Sequence, residues 1–266
     1  MKVAAWQAPL LAAGCMDAID LIHECVCTCE AQGIDVLCCP EAVLGGLADY
    51  DENPKRLAIR SDNGQLESVL APLASDTVTC VVGFTELATD GALYNAAAIF
   101  QRGRVAGLYR KIHPAIRRSV YAPGSEIPVF RAGELMFGVM ICNDSNYPEL
   151  ARMMTAQGAS VLFIPTNNSL PNGRAGLRMN AAARKADIAL AEENRIWVVR
   201  ADFCGRNDEL TSYGASEIVD PEGNLVRQAR DGSTDLLVAE IIDTLPHGRG
   251  SEDGDEPHAS ASDHGS

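Results

Sequence analysis

Short apolar runs alternate with longer amphipathic stretches from the first residues to about residue 200. Apolar runs of a few residues predict β-strands, whereas apolar residues that recur three or four positions apart predict helices. The predicted strands are Val3 to Gln7, Ile34 to Cys39, Thr77 to Phe84, Leu135 to Ile141, Ser160 to Pro165 and Ile196 to Ala201. The predicted helices are about Asp17 to Gln32, Gln65 to Leu70, Tyr147 to Gln157 and Ala175 to Asn194. This alternation is typical of a layered α/β domain.

Two more segments have the pattern of β-hairpins, in which turn-forming residues separate two strand-like runs. In the first, the strands Tyr94 to Phe100 and Arg104 to Tyr109 flank Gln101-Arg102-Gly103. In the second, Tyr213 to Val219 and Leu225 to Gln228 flank the turn from Asp220 to Asn224. Because the strands of a hairpin are antiparallel, we expect mixed sheets rather than purely parallel ones.

The chain is long enough for one large domain, and its composition changes near the end. With 266 residues, of which 47% are hydrophobic, it can form a substantial core. From His247 onward the sequence consists mainly of Gly, Ser, Asp, Glu and His. Such a segment cannot bury enough apolar surface to offset its ordering entropy. We therefore predict a folded domain over residues 1–246 and a disordered acidic tail over residues 247–266.

Charge and cysteine usage exclude several classes of protein. The formal net charge of -14 argues against a nucleic-acid partner. No apolar run approaches the roughly 18 residues of a membrane span, and the start of the chain lacks the apolar core of a signal peptide. Nine cysteines without an export signal are expected to be reduced thiols, and their spacing predicts no metal site. We therefore expect a cytoplasmic protein that binds neither membrane nor metal.

Cys142 is the candidate nucleophile. It ends the apolar run that starts at Leu135, and the polar residues Asn143 to Asn146 follow directly, before Tyr147-Pro148-Glu149-Leu150. A strand that stops at a cysteine just before a helix opening with Pro and Glu presents its thiol at the sheet edge, near a helix N-terminus. Because the chain has nine cysteines, any one of them is more often a packing residue than a nucleophile. The hypothesis that Cys142 is the nucleophile therefore depends on its position at the end of a strand.

Two residues of complementary chemistry follow other predicted strands. Glu41 comes after Ile34 to Cys39, and Lys111 comes after the run that ends at Arg110. Open α/β sheets bind ligands at the carboxyl ends of their strands, so these side chains can converge on Cys142. Glu41 would then act as the base for the thiol, and Lys111 would stabilise an oxyanion together with the backbone N–H of Asn143.

Each of these two residues also has a structural interpretation. Glu41 could be a carboxylate that caps a loop, which is about as common a role as catalysis. Lys111 could belong to a solvated basic turn, in which His113 is a turn residue rather than a base.

Several motifs occur in order along nearly the whole folded part of the chain. They are Gln7 near the start, Cys39-Pro40-Glu41, Tyr109-Arg110-Lys111-Ile112, Tyr121-Ala122-Pro123-Gly124, Gly138 to Asp144 with Tyr147-Pro148-Glu149-Leu150, Glu192 to Arg195, and Gly214 to Gly223. This set resembles the nitrilase, or carbon-nitrogen hydrolase, superfamily. The resemblance implies an αββα sandwich, pairing of subunits through helices into a homodimer or larger homo-oligomer, and no metal or other cofactor. It also implies a Glu-Lys-Cys site that hydrolyses amides, carbamoyl amines or nitriles through a thioester.

The residues after the cysteine favour one branch of that superfamily. Its nitrilases usually carry tryptophan and then glutamate there, whereas Asn143 and Asp144 follow Cys142 in this chain. The resemblance therefore favours an amidase acting on a small-molecule amide, with an N-carbamoyl amine hydrolase or a nitrilase as alternatives. A further alternative is a member that has lost turnover and serves as a binding or scaffold protein.

That last alternative depends on one departure from the family pattern. Many members carry a second glutamate between the lysine and the Pro-Gly turn, but here the segment has Arg117 and Arg118 and no acid. If either arginine points inward, it could hold a substrate carboxylate by paired hydrogen bonds, while two solvated loop arginines are the alternative. Asn167 and Asn168, which follow the strand ending at Pro165, are expected either to line the same pocket or to serve in a turn or cap.

Overall fold

Two β-sheets pack face to face and carry helices on their outer faces. The computed structural model describes residues 1–206 and 210–241. The end of the predicted domain at residues 242–246 and the predicted tail at residues 247–266 lie outside the described residues. The helices are α1 (Ala18–Gln32), α2 (Gln65–Leu70), α3 (Pro148–Ala156) and α4 (Arg174–Asn194). None of the helices in the described part of the chain is long and apolar enough to cross a membrane.

The first sheet contains the N-terminal strands, and ten strands of it fall within the described residues. They are β1 (Lys2–Pro9), β2 (Val36–Cys38), β3 (Ile59–Arg60), β4 (Thr79–Leu87), β5 (Leu93–Gln101), β6 (Arg104–Arg110), β10 (Ser169–Pro171), β12 (Phe203–Arg206), β13 (Leu210–Tyr213) and β16 (Asp235–Glu240). The main order is β10-β13-β12-β1-β2-β4-β5-β6, with β16 on β1 and β3 on β4. Strands β1, β2 and β4 are parallel, whereas β4, β5 and β6 form an antiparallel meander.

The second sheet has six strands among the described residues. They are β7 (Val129–Ala132), β8 (Leu135–Val139), β9 (Val161–Pro165), β11 (Trp197–Ala201), β14 (Glu217–Val219) and β15 (Leu225–Gln228), in the order β15-β14-β11-β9-β8-β7. Parallel β8, β9 and β11 form its centre, and antiparallel pairs close both edges. The predicted mixed sheets and the αββα sandwich are confirmed.

The apolar runs are continuous because both faces of the central strands are covered. Along β1, Val3 and Ala5 point into the core between the sheets, while Ala4 and Trp6 point to the core beneath α1. Successive residues of a strand face opposite sides, so a strand between two cores needs apolar residues at every position. This is why the strand predictions made from apolar runs locate most of the central strands.

Several predicted strand boundaries are wrong. Strand β4 runs to Leu87, three residues past the predicted end at Phe84, and β2 starts at Val36 rather than at Ile34. The segment from Tyr213 to Val219 is not one strand, because the chain breaks at Gly214, which has φ 80°. Strand β13 ends at Tyr213 in the first sheet, and β14 starts at Glu217 in the second, where it forms the predicted hairpin with β15. Likewise β8 ends at Val139, three residues before Cys142. The short strands β3, β7, β10, β12 and β13, together with β16, were not among the predicted elements.

Candidate active site

Glu41 lies in the loop directly after β2 and is 2% exposed. Its Oε1 accepts hydrogen bonds from Lys111 Nζ at 2.5 Å and from Asn95 Nδ2 at 2.8 Å. Its Oε2 accepts one from the backbone N–H of Asn167 at 3.0 Å. A buried carboxylate is costly unless it is paired and hydrogen-bonded, and here both oxygens have partners.

A close approach of backbones brings Glu41 to this place. Gly83 of β4 lies against the loop, and a Cβ built on it would be 2.3 Å from the Pro40 oxygen and 2.9 Å from the Glu41 Cα. Real Cβ atoms do not tolerate such distances, so only glycine fits. The chain then turns at Ala42, whose φ of 47° is uncommon for a residue with a side chain. The position of Glu41 therefore depends on the backbone geometry of β4.

Lys111 lies just past the end of β6 and is 3% exposed. Its backbone N–H donates to Asn95 O and its carbonyl accepts from the Gly124 N–H, both at 2.8 Å. The Pro-Gly turn noted in the sequence therefore holds the backbone of the lysine. Burial alone would lower the pKa of Lys111, but the adjacent Glu41 carboxylate and Cys142 raise it above its ordinary value. The ammonium group thus stays charged in the interior.

Cys142 lies in a strained turn between β8 and α3. Its φ is 47°, and its carbonyl accepts a hydrogen bond from Ser145 Oγ at 2.9 Å. The expected helix N-terminus is not adjacent, because a 3₁₀ helix (Cys142–Asn146) separates the cysteine from Pro148, where α3 begins. The residue is half-buried, and its sulfur lies 3.9 Å from Asn168 Oδ1.

The surroundings of Cys142 keep its thiol protonated at rest. Burial, and secondly the negative charge of Glu41, raise the pKa of Cys142 to about 12. The positive charges of Lys111 and Arg200 act in the opposite direction without reversing the shift. A free thiolate is therefore rare at neutral pH, and the thiol needs a base in order to react.

Asp144 fixes the turn that carries the cysteine. It is fully buried, and its Oδ2 accepts from the Ile141 N–H at 3.0 Å and from the Tyr109 hydroxyl at 2.8 Å. Its Oδ1 accepts from the His113 N–H at 2.8 Å. Because Tyr109 belongs to β6 of the first sheet, this carboxylate ties the turn after β8 to the opposite sheet.

Two cavities meet at Cys142. The smaller, of about 60 Å³, is lined by Glu41, Lys111, Asn95, Asp49, Tyr50 and Asn167, among others. The larger, of about 360 Å³, is lined by a set that includes Asn143, Ser145, Asn146, Asn167, Asn168 and Arg200. The structure therefore brings together the three candidate reacting residues and places Asn143, Asn167 and Asn168 at the cavity walls.

Arg117 and Arg118 do not belong to this group. Both lie on an exposed turn, and neither lines either cavity. The next two residues are held by Asp49, which accepts from Ser119 Oγ at 3.0 Å and from the Val120 N–H at 2.7 Å. The neighbouring Ala115 and Ile116 line the smaller cavity, whereas the two arginines do not, so the structure gives no support to carboxylate recognition by these arginines.

A sequence model of the family described as carbon-nitrogen hydrolase matches residues 2–244. This chain belongs to the carbon-nitrogen hydrolase family. The resemblance inferred from the sequence motifs is thereby confirmed for the family.

The relatives of this carbon-nitrogen hydrolase are named for several different activities. This chain is 34% identical to an N-carbamoylputrescine amidase of Oryza sativa subsp. japonica, over 84% of this chain and 74% of that protein. It is 30% identical to a nitrilase of Pyrococcus abyssi, over 79% of this chain and 78% of that protein. Among solved structures, an amidase of Nesterenkonia AN1 from the nitrilase superfamily has a TM-score of 0.75 at 22% identity, over 91% of each chain. At that identity the likeness shows the fold alone.

Sequence reasoning missed several residues of this carbon-nitrogen hydrolase's site. Asn95 lies within the apolar strand β5 and bonds Glu41, while Arg200 lies within the apolar strand β11 and lines the larger cavity. Asp49 and Tyr50, from a loop after β2, line the smaller cavity. A signal existed for the first two, because a lone polar residue inside a strand covered on both faces must have buried partners.

Proposed function

We propose that this carbon-nitrogen hydrolase cleaves a small linear amide by attack of Cys142 on the amide carbonyl, with release of ammonia through a thioester. One observation carries the proposal. The buried Glu41–Lys111 pair, joined at 2.5 Å, and Cys142 line the same small cavity. A base, a cation and a thiol in one cavity are the groups that cysteine-dependent acyl transfer requires.

Glu41 is the base in this mechanism. Because the Cys142 thiol is protonated at rest, its proton must leave as sulfur attacks the carbonyl carbon. Both lone-pair positions of Glu41 Oε1 are taken by Lys111 and Asn95, whereas Oε2 has one donor, the Asn167 N–H. We therefore assign the proton to Oε2.

The remaining steps use the same groups. As the S–C bond forms, the carbonyl oxygen becomes an oxyanion, which the Lys111 ammonium and the backbone N–H of Asn143 would stabilise. Glu41 then returns the proton to the amide nitrogen, the C–N bond breaks and ammonia leaves the thioester. A water molecule gives a proton to Glu41 and attacks the thioester carbon. The C–S bond then breaks, and Glu41 returns the proton to the sulfur, which releases the acid and restores the Cys142 thiol. Lys111 remains protonated throughout, in keeping with its raised pKa.

The charge of the small cavity favours amide substrates that carry no negative group. Glu41 and Lys111 neutralise each other there, which leaves Asp49. The two groups that bond its oxygens, Ser119 Oγ and the Val120 N–H, are neutral. Within the described ranges no cationic side chain forms an ion pair with Asp49. We therefore propose a neutral or cationic amide as the substrate, in place of the carboxylated amide suggested by Arg117 and Arg118.

A set of matched amides tests this function. Ammonia release is followed with butyramide, 4-aminobutyramide and succinamate, and intact-protein mass records any acyl adduct on Cys142. We expect ammonia only with Cys142 present, so Cys142→Ala is the control, and we expect succinamate to be the poorest substrate. Asp49→Asn should narrow the difference between 4-aminobutyramide and succinamate, whereas Arg118→Ala should leave it unchanged. A folded protein that yields neither ammonia nor an adduct with any amide would refute the proposal and favour the binding or scaffold role.

A second candidate is an N-carbamoyl amine hydrolase. The 34% identity to a protein named for that activity favours it over the nitrilase alternative, for which the corresponding identity is 30%. Carbon dioxide released together with ammonia would identify this activity, and ammonia from a nitrile would identify a nitrilase. The homodimer or larger homo-oligomer implied by the family remains a proposal, for which light scattering of the purified protein is the test.

A further inference from the structure

Arg200 lies within an apolar strand, is 1% exposed, and its guanidinium donates four hydrogen bonds to three residues. It forms a two-point ion pair with Asp187 of α4, which is fully buried. Its Nη1 donates to Thr166 Oγ1 at 2.5 Å, and its Nη2 donates to Ser145 Oγ at 3.2 Å. The planar fork of arginine makes this arrangement possible, since a lysine ammonium cannot reach all these acceptors in one orientation.

The two neutral partners of Arg200 each adjoin a reacting group. Ser145 Oγ donates to the carbonyl of Cys142 at 2.9 Å and so supports its strained φ of 47°. The carbonyl of Thr166 accepts from the Glu41 N–H at 3.3 Å. The residue after Thr166 donates its N–H to Glu41 Oε2. One buried side chain is thus linked by single intermediates to the nucleophile and to the base.

Stability alone does not account for this ion pair. Taking two charges out of water costs several kcal/mol, and replacing a buried pair by apolar residues is often neutral or even stabilising. Strand β11 is otherwise apolar at its buried positions, so an apolar residue at position 200 would suit the strand. A role other than stability therefore explains the buried pair better.

We propose that Arg200, held by Asp187, is a positioning residue that fixes Cys142 through Ser145 and Glu41 through Thr166. The inference rests on the proposed function in taking Cys142 and Glu41 as the reacting groups. The guanidinium divides its donors between two sides, with Nε and Nη2 bonded to Asp187 of α4 and Nη1 and Nη2 bonded to Thr166 and Ser145 at the site. The positive charge of Arg200 opposes the rise in the pKa of Cys142, which agrees with this orientation.

Several charged or titratable groups besides Arg200 affect the pKa of the Cys142 thiol, and the test variants must leave these groups unchanged. The charged or titratable groups that interact with Cys142 come from the loop after β2, the end of β6 and β11, and they are Glu41, Tyr50, Lys111 and Arg200. The variants below therefore leave Glu41, Tyr50 and Lys111 in place. Any change in the pH dependence of the thiol is then attributable to the pair.

The principal variant replaces the pair as a whole, as Arg200→Met with Asp187→Leu, so that neither charge is left buried without a partner. Three measurements are made: thermal unfolding, the pH profile of Cys142 alkylation by iodoacetamide followed by intact mass, and kcat and KM for the best amide. We expect a folded protein whose kcat falls at least about tenfold with KM nearly unchanged. Its alkylation profile should move to higher pH by about one unit. Arg200→Lys keeps the positive charge but not the planar fork of donors. Its alkylation profile should therefore lie closer to that of the wild type than its kcat does.

A second ion pair on α4 provides the matched control. Arg184 Nε bonds Glu217 Oε2 at 2.6 Å, and neither residue bonds Ser145 or Thr166. Arg184→Met with Glu217→Gln should leave kcat and the alkylation profile near those of the wild type. Equal losses in the two double variants would mean that any ion pair on α4 has this effect, and the proposal would be wrong.

Two single-link variants keep the proposal testable if the principal variant does not fold. Ser145→Ala and Thr166→Val leave the ion pair intact and each remove one link. We expect each to lower kcat, and their combination to lower it about as much as loss of the pair. A folded combination with wild-type kcat and alkylation would overturn the proposal. Failure of the proposed function is distinguishable, since it would appear as absence of amide turnover in the wild type, whereas alkylation needs no turnover.

Discussion

Substitution of Gly83 by alanine tests how strictly the backbone of β4 determines the position of Glu41, the proposed base. The added Cβ would be 2.3 Å from the Pro40 oxygen, 2.5 Å from the Ala42 nitrogen and 2.9 Å from the Glu41 Cα. All three neighbours are backbone atoms of the loop that carries Glu41. They cannot rotate away as the end of a flexible side chain would, so the loop or the strand has to move.

The size of that movement follows from the contact distances. A carbon and a carbonyl oxygen approach to about 3.3 Å without strain, so relieving the 2.3 Å contact takes a shift of about 1 Å. Misplacement of a reacting group by this amount can reduce the rate about 100-fold, which corresponds to about 2.7 kcal/mol in the barrier. Overpacking of a close contact also lowers the free energy of unfolding, typically by about 1–3 kcal/mol.

The assay separates loss of geometry from loss of fold. For Gly83→Ala we expect kcat/KM for the best amide to fall about 100-fold while thermal unfolding stays cooperative. Gly107→Ala in β6 is the control, because its Cβ would meet the ring of Phe130 at 2.7 Å rather than the backbone near Glu41. That variant should lose stability without a matching loss of kcat/KM. A folded Gly83→Ala protein with kcat/KM within about threefold of the wild type would refute the reasoning.

Three other changes have expected outcomes. Burial raises the pKa of Glu217 to about 7. The folded state therefore binds this proton more tightly than the unfolded state does. The free energy of unfolding of the wild type should thus fall as the pH rises from about 4.5 to 7. The decrease is at most about 3 kcal/mol. Urea unfolding at pH 5 and pH 8 should show a smaller difference in the free energy of unfolding for Glu217→Gln than for the wild type. Tyr109→Phe removes a donor from buried Asp144 and should lower the free energy of unfolding by about 1–3 kcal/mol, also measured in urea. Lys111→Met removes a charge that lowers the pKa of Cys142, so alkylation by iodoacetamide at pH 9 should slow, and acceleration would contradict the electrostatic argument.

The sequence pattern was sufficient for the central strands and insufficient for the short ones. Strands β2, β4 and β9 are buried on both faces, so their apolar residues form continuous runs that are visible without a structure. Strand β16 exists because it pairs with β1, whose residues lie more than 200 positions earlier. Its own six residues are too few to distinguish a strand from a helical turn by periodicity. Such pairings depend on tertiary contacts that local patterns do not contain.

The rule that ligands bind at strand ends located the three candidate reacting residues but not the orientation of the neighbouring loop. Glu41, Lys111 and Cys142 each follow an apolar strand closely, so their places were fixed once the strands were recognised. The exposed position of Arg117 and Arg118 was not predictable in the same way, because the two residues that follow them are bonded to Asp49, about 70 residues earlier. Such a contact between distant segments leaves no signal in the local sequence pattern.

The candidate site combines contributions from both sheets, which explains why its distances could not be inferred from either sheet alone. Glu41, the proposed base, and Lys111 follow β2 and β6 of the first sheet, whereas Cys142 follows β8 of the second. Each sheet also supplies one polar residue that interrupts an apolar strand, Asn95 beside the base and Arg200 behind the thiol. Because the core between the sheets sets their separation, its packing also sets the distance from the base to the thiol. Changes of volume in that core should therefore affect kcat even where they touch none of the reacting groups.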